Sequence, residues 1–303
     1  MRSLILSILA LFVSAGVLVE RAGAGNFNLP VKTFGGKQLW ADQKVLNDWR
    51  IQQSVATGHF RLLDPNDVRR AWGTLEAVEA SWEEQREAIG KKSRVSLRVL
   101  LLHGLGRSRD SFSGLKGALQ DRGFDVEVIQ YPSTRLSLED HARQVGSVIK
   151  DWQAEEVVIV THSLGGLVTR KMIELELDWR SKIKLKSIIM IAPPNKGAAI
   201  SDYLQKFSIF GAVMGEAGLE TRTVEAEKLP VPDVPFGVIA GGKGDARGYN
   251  PLLDGDDDGV VRVEETSLPG QKEFLLVDAI HSFIMNDPKT VEAVISFIEE
   301  ERF

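Results

Sequence analysis

The sequence predicts an α/β fold, with a mostly parallel central sheet that has helices on both faces. From about residue 95 onward, short apolar runs rich in Val, Ile and Leu alternate with amphipathic helical patterns. A parallel strand is buried on both faces, so it has a continuous apolar run, and successive parallel strands need a crossover that is usually a helix. The length of 303 residues, with 43% hydrophobic and 26% charged residues, suits a globular protein of this class.

Each element of this fold follows from hydrophobic periodicity along the chain. Apolar runs of strand length predict strands at 95–102, 126–131, 156–161, 185–192, 236–240 and 273–277. Apolar residues at helical spacing predict helices at 111–120, 138–152, 167–177 and 288–300. These elements make residues 94–303 the core domain.

The preceding segment, residues 25–93, is predicted to extend that domain with strands and a helix. The runs 49–55 and 59–63 are joined by Ala56-Thr57-Gly58 and predict a β-hairpin. We expect this hairpin to add antiparallel strands to one edge of the central sheet. Apolar positions at helical spacing predict a helix over 67–88. No motif in the segment indicates a role.

Residues 1–24 have the features of a secretory signal peptide. Arg2 precedes an apolar run over residues 4–19, and Ala22-Gly23-Ala24 is a small-x-small cleavage site. The alternative is an uncleaved membrane anchor at residues 4–19. A membrane span takes about 20 apolar residues, so the shorter run favours cleavage. The sequence therefore predicts a secreted or periplasmic protein, with membrane association through the N-terminal segment as the alternative.

Charge and cysteine content exclude several kinds of protein. The net charge of -5 argues against a nucleic-acid partner, which a basic excess would indicate. The chain has no cysteine, which excludes disulfides, thiolate metal sites and a cysteine nucleophile.

A strand–turn–helix sequence places Ser163 where a nucleophile is needed. The apolar run 157–160 leads through Thr161-His162-Ser163 into Leu164-Gly165-Gly166. A serine at such a turn projects above the sheet and lies at a helix N-terminus, where free N–H groups favour developing negative charge. The alternative is a serine that only caps the helix. The strand before it and the glycines after it favour the nucleophile.

The segment His162-Ser163-Leu164-Gly165-Gly166 resembles the nucleophile elbow of α/β-hydrolase lipases and esterases. The resemblance implies the α/β-hydrolase fold and a serine mechanism that requires no metal ion and no organic cofactor. One position departs from the family, because Thr161 stands where the family has its first glycine. A β-branched side chain would crowd the turn there.

Two other segments carry the same resemblance. The segment from Leu101 to Gly106, Leu-Leu-His-Gly-Leu-Gly, resembles the lipase oxyanion loop. This implies that the backbone N–H groups of Leu105 and Leu164 stabilise an oxyanion. The segment 191–197, which contains Asn195, resembles the exit of the sixth strand of lipases, where it shapes the pocket.

His281 is the predicted general base. In this fold the triad runs in the order Ser, Asp or Glu, then His, and His281 is the one histidine of the sequence after Ser163. It follows the last predicted strand and precedes the final helix. We do not expect His162 to reach the face of the serine, and His59 and His141 have the patterns of ordinary hairpin and helix residues.

Asp258 is the predicted acid of the triad. Lipases often place this acid in an Asp-Gly-hydrophobic-Val turn, and Asp258-Gly259-Val260-Val261 has that pattern. Asp256 and Asp257 remain alternatives because the register of the turn is not fixed by the pattern.

The same turn also has the spacing of an EF-hand loop. The matching residues are Asp254, Asp256, Asp258, Gly259 and Glu265. An EF-hand needs a helix on each side, and the flanks contain Pro251 and Pro269 instead. The pattern therefore disfavours an EF-hand, and calcium bound by some of these carboxylates stays open.

Residues 198–229 form a connection too long for a simple loop between two strands. One interpretation is a cap over an acyl pocket, and the other is a helix packed on the sheet followed by a loop.

The expected reaction is acyl transfer to water by Ser163, His281 and Asp258, without metal or cofactor. The lipase-like motifs imply a carboxylic ester as substrate, either a small molecule or a lipid. A thioesterase, amidase or acyltransferase with the same triad is the first alternative. A non-catalytic binding protein with a hydrolase fold is the second. No feature of the sequence predicts the oligomeric state.

Overall fold

The computed structural model describes residues 31–33, 37–90, 94–198 and 226–303. The predicted signal peptide at residues 1–24 lies outside the described residues, and so does most of the connection 198–229, interpreted above as a cap or as a packed helix and loop. No helix within the described ranges is long and apolar enough to cross a membrane.

The first part of the chain forms an antiparallel sheet of its own. Its strands are β1 (Val31–Lys32), β2 (Trp40–Leu46), β3 (Trp49–Ser54), β4 (Phe60–Leu63) and β5 (Val68–Gly73). They are arranged in the order β1-β5-β4-β3-β2, and the predicted hairpin is confirmed as β3 and β4. Two short helices follow, α1 (Leu75–Glu84) and α2 (Arg86–Ile89).

The helix predicted over 67–88 is wrong in its first part. Residues 68–73 form β5, which pairs with β4, and the helix begins only after Thr74. The Thr74 hydroxyl accepts a hydrogen bond from the Ala77 N–H and caps α1. The spacing of the apolar residues fits a helix. The backbone N–H and C=O groups of 68–73 are instead satisfied by hydrogen bonds to β4, which the spacing of side chains does not reveal.

The remaining strands form a six-stranded parallel sheet, as predicted. They are β6 (Val95–Leu102), β7 (Asp125–Ile129), β8 (Ala154–His162), β9 (Lys184–Ile191), β10 (Phe236–Gly242) and β11 (Glu273–Asp278). Their order is β11-β10-β9-β8-β6-β7. The helices are α3 (Ser113–Asp121), α4 (Leu138–Lys150), α5 (Leu164–Glu174), the single turn α6 (Val263–Thr266) and α7 (Pro288–Glu300).

Side chains along the central strands alternate between two cores. In β6, Leu100 and Leu102 pack with α4 and α5, whereas Val99 and Leu101 pack with α3 and α7. All four side chains are fully buried, so the strand has the continuous apolar run that predicted it.

The antiparallel sheet lies at the β7 edge of the central sheet without continuing it. The Asp42 N–H donates to the Gln130 carbonyl at 3.0 Å, and the Asp42 carboxylate accepts the Gln130 N–H at 2.7 Å. From α4, the side-chain amide of Gln144 donates to the Asp42 carbonyl. The expected antiparallel strands thus lie at this edge, where they form a sheet of their own. β2 meets the edge through the hydrogen bonds of Asp42 with Gln130 and pairs along its length with β3.

Candidate active site

Ser163 lies at the sharp turn between β8 and α5, in a backbone conformation that strains a side chain. Its φ is 53° and its ψ is -121°. Two hydrogen bonds of 2.9 Å hold the turn, from the Ser163 N–H to the Ile191 carbonyl and from the Gly166 N–H to the Ser163 carbonyl. Such strain persists only where the surroundings impose it, and it is concentrated at functional sites.

The residues around Ser163 explain why the turn needs glycine. A Cβ on Gly165 would lie 2.4 Å from the Leu102 carbonyl oxygen, a distance that no side chain tolerates. Thr161, the departure from the family pattern, is fully buried without disturbing this geometry. Its hydroxyl lies 3.5 Å from the Ile189 carbonyl oxygen, on the neighbouring strand β9. The predicted crowding therefore does not occur.

The structure brings Ser163, His281 and Asp258 together as one hydrogen-bonded chain. His281 Nε2 lies 3.0 Å from Ser163 Oγ, and His281 Nδ1 lies 2.6 Å from Asp258 Oδ2. A carboxylate only accepts hydrogen bonds, so Nδ1 carries the ring proton and Nε2 is free to accept the serine proton. The Asp258 side chain is 1% exposed, so its carboxylate is shielded from water.

Of the three adjacent aspartates, the structure directs only Asp258 at His281. Asp256 accepts the backbone N–H groups of Lys243 and Gly244. Asp257 accepts those of Asn250 and Gly259. The second oxygen of Asp258 accepts the N–H groups of Val260 and Val261, which fixes the carboxylate in the turn predicted for the acid.

The EF-hand reading has no support in the geometry of the turn. Its carboxylates are directed at separate hydrogen-bond donors, and Glu265 pairs with Arg262. Within the part of the chain that the structure describes, no three His, Cys, Asp or Glu side chains are placed to hold a metal ion. The helix after the turn, α6, has four residues, too few for the flank of an EF-hand.

The two predicted oxyanion donors belong to segments that adjoin Ser163. Leu164 is the first residue of α5, where the backbone N–H has no intrahelical partner. The loop that carries Leu105 comes close to the serine, because a Cβ on Gly104 would lie 3.0 Å from the Ser163 Cβ. A bond from the Gly106 N–H to Ser133 Oγ, at 3.0 Å, holds this loop. No described residue accepts the N–H of Leu105 or of Leu164.

Sequence reasoning missed two residues that hold His281 in place. His162 Nε2 donates to the His281 carbonyl at 3.0 Å, and the two ring centres lie 4.7 Å apart. Arg107 donates to the Ser282 carbonyl from the other side. Burial, with the nearby His281, holds the pKa of His162 well below its ordinary value, so its ring is neutral. Residues 119 apart in sequence give no local signal of such a contact.

Two other histidines are fully buried, His103 within the predicted oxyanion loop and His141 in α4, and both rings contact Tyr131. His103 stacks on Tyr131 at 4.2 Å, and its Nδ1 donates to the Gly104 carbonyl at 2.9 Å. Burial lowers the pKa of both histidines to about 4. Neither ring contacts Ser163 or His281 in the described part of the chain.

These low pKa values predict acid sensitivity. Above about pH 6.5 both histidines are neutral whether the chain is folded or not. As the pH falls below about 6.5, these histidines become protonated in the unfolded chain while they stay neutral in the folded chain. The free energy of unfolding therefore decreases until about pH 4, where the folded chain also binds the protons. Replacing His141→Phe should therefore make the slope between these values shallower by up to about 1.4 kcal/mol per pH unit.

Urea unfolding at several pH values measures this slope. His59→Phe, at an exposed position, is the matched control and should leave the slope unchanged. An identical slope in the wild type and in His141→Phe would contradict the prediction.

Asn195, expected to shape the pocket, instead ties elements together. Its backbone carbonyl accepts a hydrogen bond of 2.8 Å from the Arg170 guanidinium of α5. Its side-chain amide donates a hydrogen bond of 2.7 Å to the Thr266 carbonyl of α6. The space beside the site is an open cleft of about 310 Å³ next to His281. Its other lining residues are Tyr249, Asp258, Gly259, Val260, Ile280 and Ser282.

Residues 64–212 match a family described as "Domain of unknown function (DUF7379)". A search of curated protein sequences gives no significant match.

Solved structures of similar fold include the mature form of Bacillus licheniformis lipase BlEst2. It is 16% identical, with a TM-score of 0.54 over 68% of this chain and 92% of the lipase chain. The metagenomic carboxyl esterase MGS0156 is also 16% identical, with a TM-score of 0.55 over 69% of this chain and 77% of its own. The chain thus has the α/β-hydrolase fold, and the predicted fold class is confirmed.

Proposed function

We propose that this chain is a serine hydrolase that cleaves carboxylic esters through an acyl-enzyme on Ser163. The observation that carries the proposal is the chain of hydrogen bonds from Asp258 through His281 to Ser163 Oγ, at 2.6 and 3.0 Å. In neutral water a serine hydroxyl is a weak nucleophile, and a base held at hydrogen-bond distance activates it.

The first half of the reaction forms the acyl-enzyme. Ser163 Oγ attacks the ester carbonyl carbon while its proton passes to His281 Nε2. Asp258 stabilises the imidazolium that results. The carbonyl oxygen becomes an oxyanion, which accepts hydrogen bonds from the N–H groups of Leu105 and Leu164. When the tetrahedral intermediate collapses, the bond to the alkoxy oxygen breaks and Nε2 returns the proton to the leaving alcohol.

The second half repeats these steps with water. His281 takes a proton from a water molecule that attacks the acyl carbon, and Ser163 leaves with that proton. The products are a carboxylic acid and the free enzyme, so no external oxidant, reductant or metal ion is needed to balance the reaction.

Two observations support an ester with an apolar acyl group. The cleft beside His281 is lined by Val260 and Ile280, and the nearby Phe283 is 65% exposed. Exposed apolar side chains at the rim of a cleft favour apolar ligands. A lipase and a carboxyl esterase are also among the proteins that share this fold.

The test is covalent labelling with a fluorophosphonate, which reacts with activated serines. We expect the wild type to be labelled and Ser163→Ala to remain unlabelled. Ser147→Ala, at an exposed serine of α4, is the matched control and should label like the wild type. Labelling that persists in Ser163→Ala would reject Ser163 as the nucleophile. A folded wild type that is not labelled would favour a non-catalytic binding protein.

Substrate class is then measured with p-nitrophenyl esters of increasing acyl length, beside thioesters and anilides of the same acyl groups. We expect the highest kcat/KM on esters. Faster cleavage of the thioester or the anilide would assign a thioesterase or an amidase instead, and acyl transfer to an added alcohol in preference to water would assign an acyltransferase.

His162 is a positioning residue in this mechanism. Because it holds the backbone of His281, we expect His162→Ala to lower kcat by about 10²-fold while KM changes little. His162→Gln, which retains a side-chain N–H donor, should recover part of the loss. An unchanged kcat in a folded His162→Ala variant would contradict this role.

Location is a separate proposal, based on residues 1–24 alone. We propose that the chain is exported and then cleaved after Ala24. N-terminal sequencing of the protein recovered from its host tests this, since an intact Met1 would favour the membrane anchor.

A further inference from the structure

The side chain of Gln38 joins the N-terminal part of the chain to the predicted oxyanion loop. Gln38 lies in the connection between β1 and β2 of the antiparallel sheet. Its side-chain amide donates a hydrogen bond of 2.8 Å to the backbone carbonyl of Arg107. Arg107 is the last residue of a tight turn, since its N–H donates to the Gly104 carbonyl at 3.2 Å. Leu105, the predicted oxyanion donor, is therefore a central residue of a turn that Gln38 holds at its end.

The other end of the Gln38 side chain is bonded to the loop after β7. Its carbonyl oxygen accepts the backbone N–H and the hydroxyl of Thr134, both at 2.9 Å, and the hydroxyl of Ser133 at 3.3 Å. Ser133 Oγ in turn accepts the Gly106 N–H at 3.0 Å. Gln38 and Ser133 are thus bonded to each other and to the last two residues of the turn.

These partners fix the orientation of the Gln38 amide. A backbone carbonyl only accepts hydrogen bonds and a backbone N–H only donates them. The NH₂ group therefore faces Arg107 and the oxygen faces Thr134. In the reversed orientation, acceptor would face acceptor and donor would face donor, so Gln38 bridges the two loops in one arrangement.

Further contacts from the antiparallel sheet hold the chain just after this turn. Asp48, in the connection between β2 and β3, pairs with Arg109 and Lys116. The side chain of Gln130, directly after β7, accepts the Arg109 N–H at 3.0 Å and donates to the Lys37 carbonyl at 2.8 Å. The N-terminal part of the chain is thus linked to this region at more than one residue. Gln38 makes the contact that is closer in sequence to the predicted oxyanion donor.

We propose that Gln38 is a positioning residue for ester hydrolysis, and that the antiparallel sheet contributes to catalysis by holding the turn that carries the Leu105 N–H. The inference rests on the proposed function, since an oxyanion forms only if Ser163 attacks a carbonyl group. Oxyanion donors act where charge develops in the transition state, and a small misplacement of such groups lowers the rate. Without the Gln38 amide the turn loses the bond at its last residue, so the Leu105 N–H is held less well.

Steady-state kinetics of Gln38→Ala on a p-nitrophenyl ester test this role. We expect kcat to fall about 10-fold with little change in KM, because the donor stabilises the transition state more than the bound ester. Outright removal of an oxyanion donor lowers kcat by about 10²- to 10³-fold, and here the donor is displaced but still present. Gln53→Ala is the matched control and should retain wild-type kcat, since Gln53 is a half-buried glutamine of β3 whose side chain bonds to the Gly58 carbonyl of its own hairpin.

A trifluoromethyl ketone separates positioning from a general loss of structure. Ser163 Oγ adds to its carbonyl carbon, the serine proton passes to His281 Nε2, and the carbonyl oxygen becomes an oxyanion. We expect Gln38→Ala to bind this inhibitor about 10-fold more weakly, in step with kcat, while KM for the ester stays the same. Thermal melting checks that the variant is folded.

Gln38→Glu tests which end of the side chain matters. The carboxylate retains oxygen acceptors for Thr134 but cannot donate to the Arg107 carbonyl. We therefore expect it to lower kcat at least as much as Gln38→Ala does. Wild-type kcat in Gln38→Glu would show that the bond to Arg107 does not position the turn.

Hydrogen exchange measures the turn without reference to activity. We expect the backbone N–H groups of residues 104–109 to exchange faster in Gln38→Ala than in the wild type, and at the wild-type rate in Gln53→Ala. Unchanged exchange and unchanged kcat in a folded Gln38→Ala variant would overturn the inference and leave the proposed hydrolase intact. A wild type that hydrolyses no ester would instead reject the proposed function, and the catalytic role of Gln38 with it.

Discussion

His281→Ala is expected to lower kcat for ester hydrolysis by about 10⁴- to 10⁶-fold, and Ser163→Ala in the same chain is expected to lower it little further. In the proposed mechanism the serine is activated by the base that lies 3.0 Å from its oxygen, so either change disables the same step. Triad residues act as a unit, and their losses are therefore not additive.

Steady-state kinetics of both single variants and the double variant measure this. His59→Ala, an exposed hairpin histidine, is the matched control and should retain wild-type kcat. If the double variant lost the product of the two single effects, serine and histidine would act in separate steps.

Asp258→Asn is expected to lower kcat by about 10⁴-fold at neutral pH, with little change in the free energy of unfolding. The amide keeps the shape of the side chain, but its NH₂ group cannot accept the Nδ1–H of His281. The imidazole of His281 then adopts the tautomer in which Nε2 carries the proton. In that tautomer Nε2 cannot accept a proton from Ser163.

The neighbouring aspartates supply the control for this prediction. Asp256→Asn changes a carboxylate that bonds to backbone N–H groups of Lys243 and Gly244 and does not contact His281. We expect it to retain kcat within a few-fold. A large loss of kcat in Asp256→Asn, with full activity in Asp258→Asn, would show that Asp258 is not the acid of the triad.

Much of the central fold could be predicted because parallel strands are buried on both faces. That burial makes runs such as 99–102 continuously apolar, and the ends of the predicted strands agree with the structure within a few residues. Residues 68–73 could not be assigned in the same way. Their spacing fits a helix, and only the backbone bonds to β4 make them a strand.

The site also has one part that a local pattern predicts and another that depends on contacts between distant residues. The turn at Ser163 is encoded locally, by a strand, two glycines and a helix, so it could be recognised without coordinates. The support of His281 by His162 and Arg107 could not, because those contacts cross 119 and 175 residues of chain.

The sequence by itself determined the parallel sheet and the serine at its turn, because each depends on residues close together in the chain. Only the tertiary structure decided which of three aspartates faces His281 and that the first five strands form a separate sheet. Those outcomes depend on hydrogen bonds that a local pattern does not fix: the Asp-Gly-hydrophobic-Val pattern favoured Asp258, and the contact with His281 distinguishes it from Asp256 and Asp257.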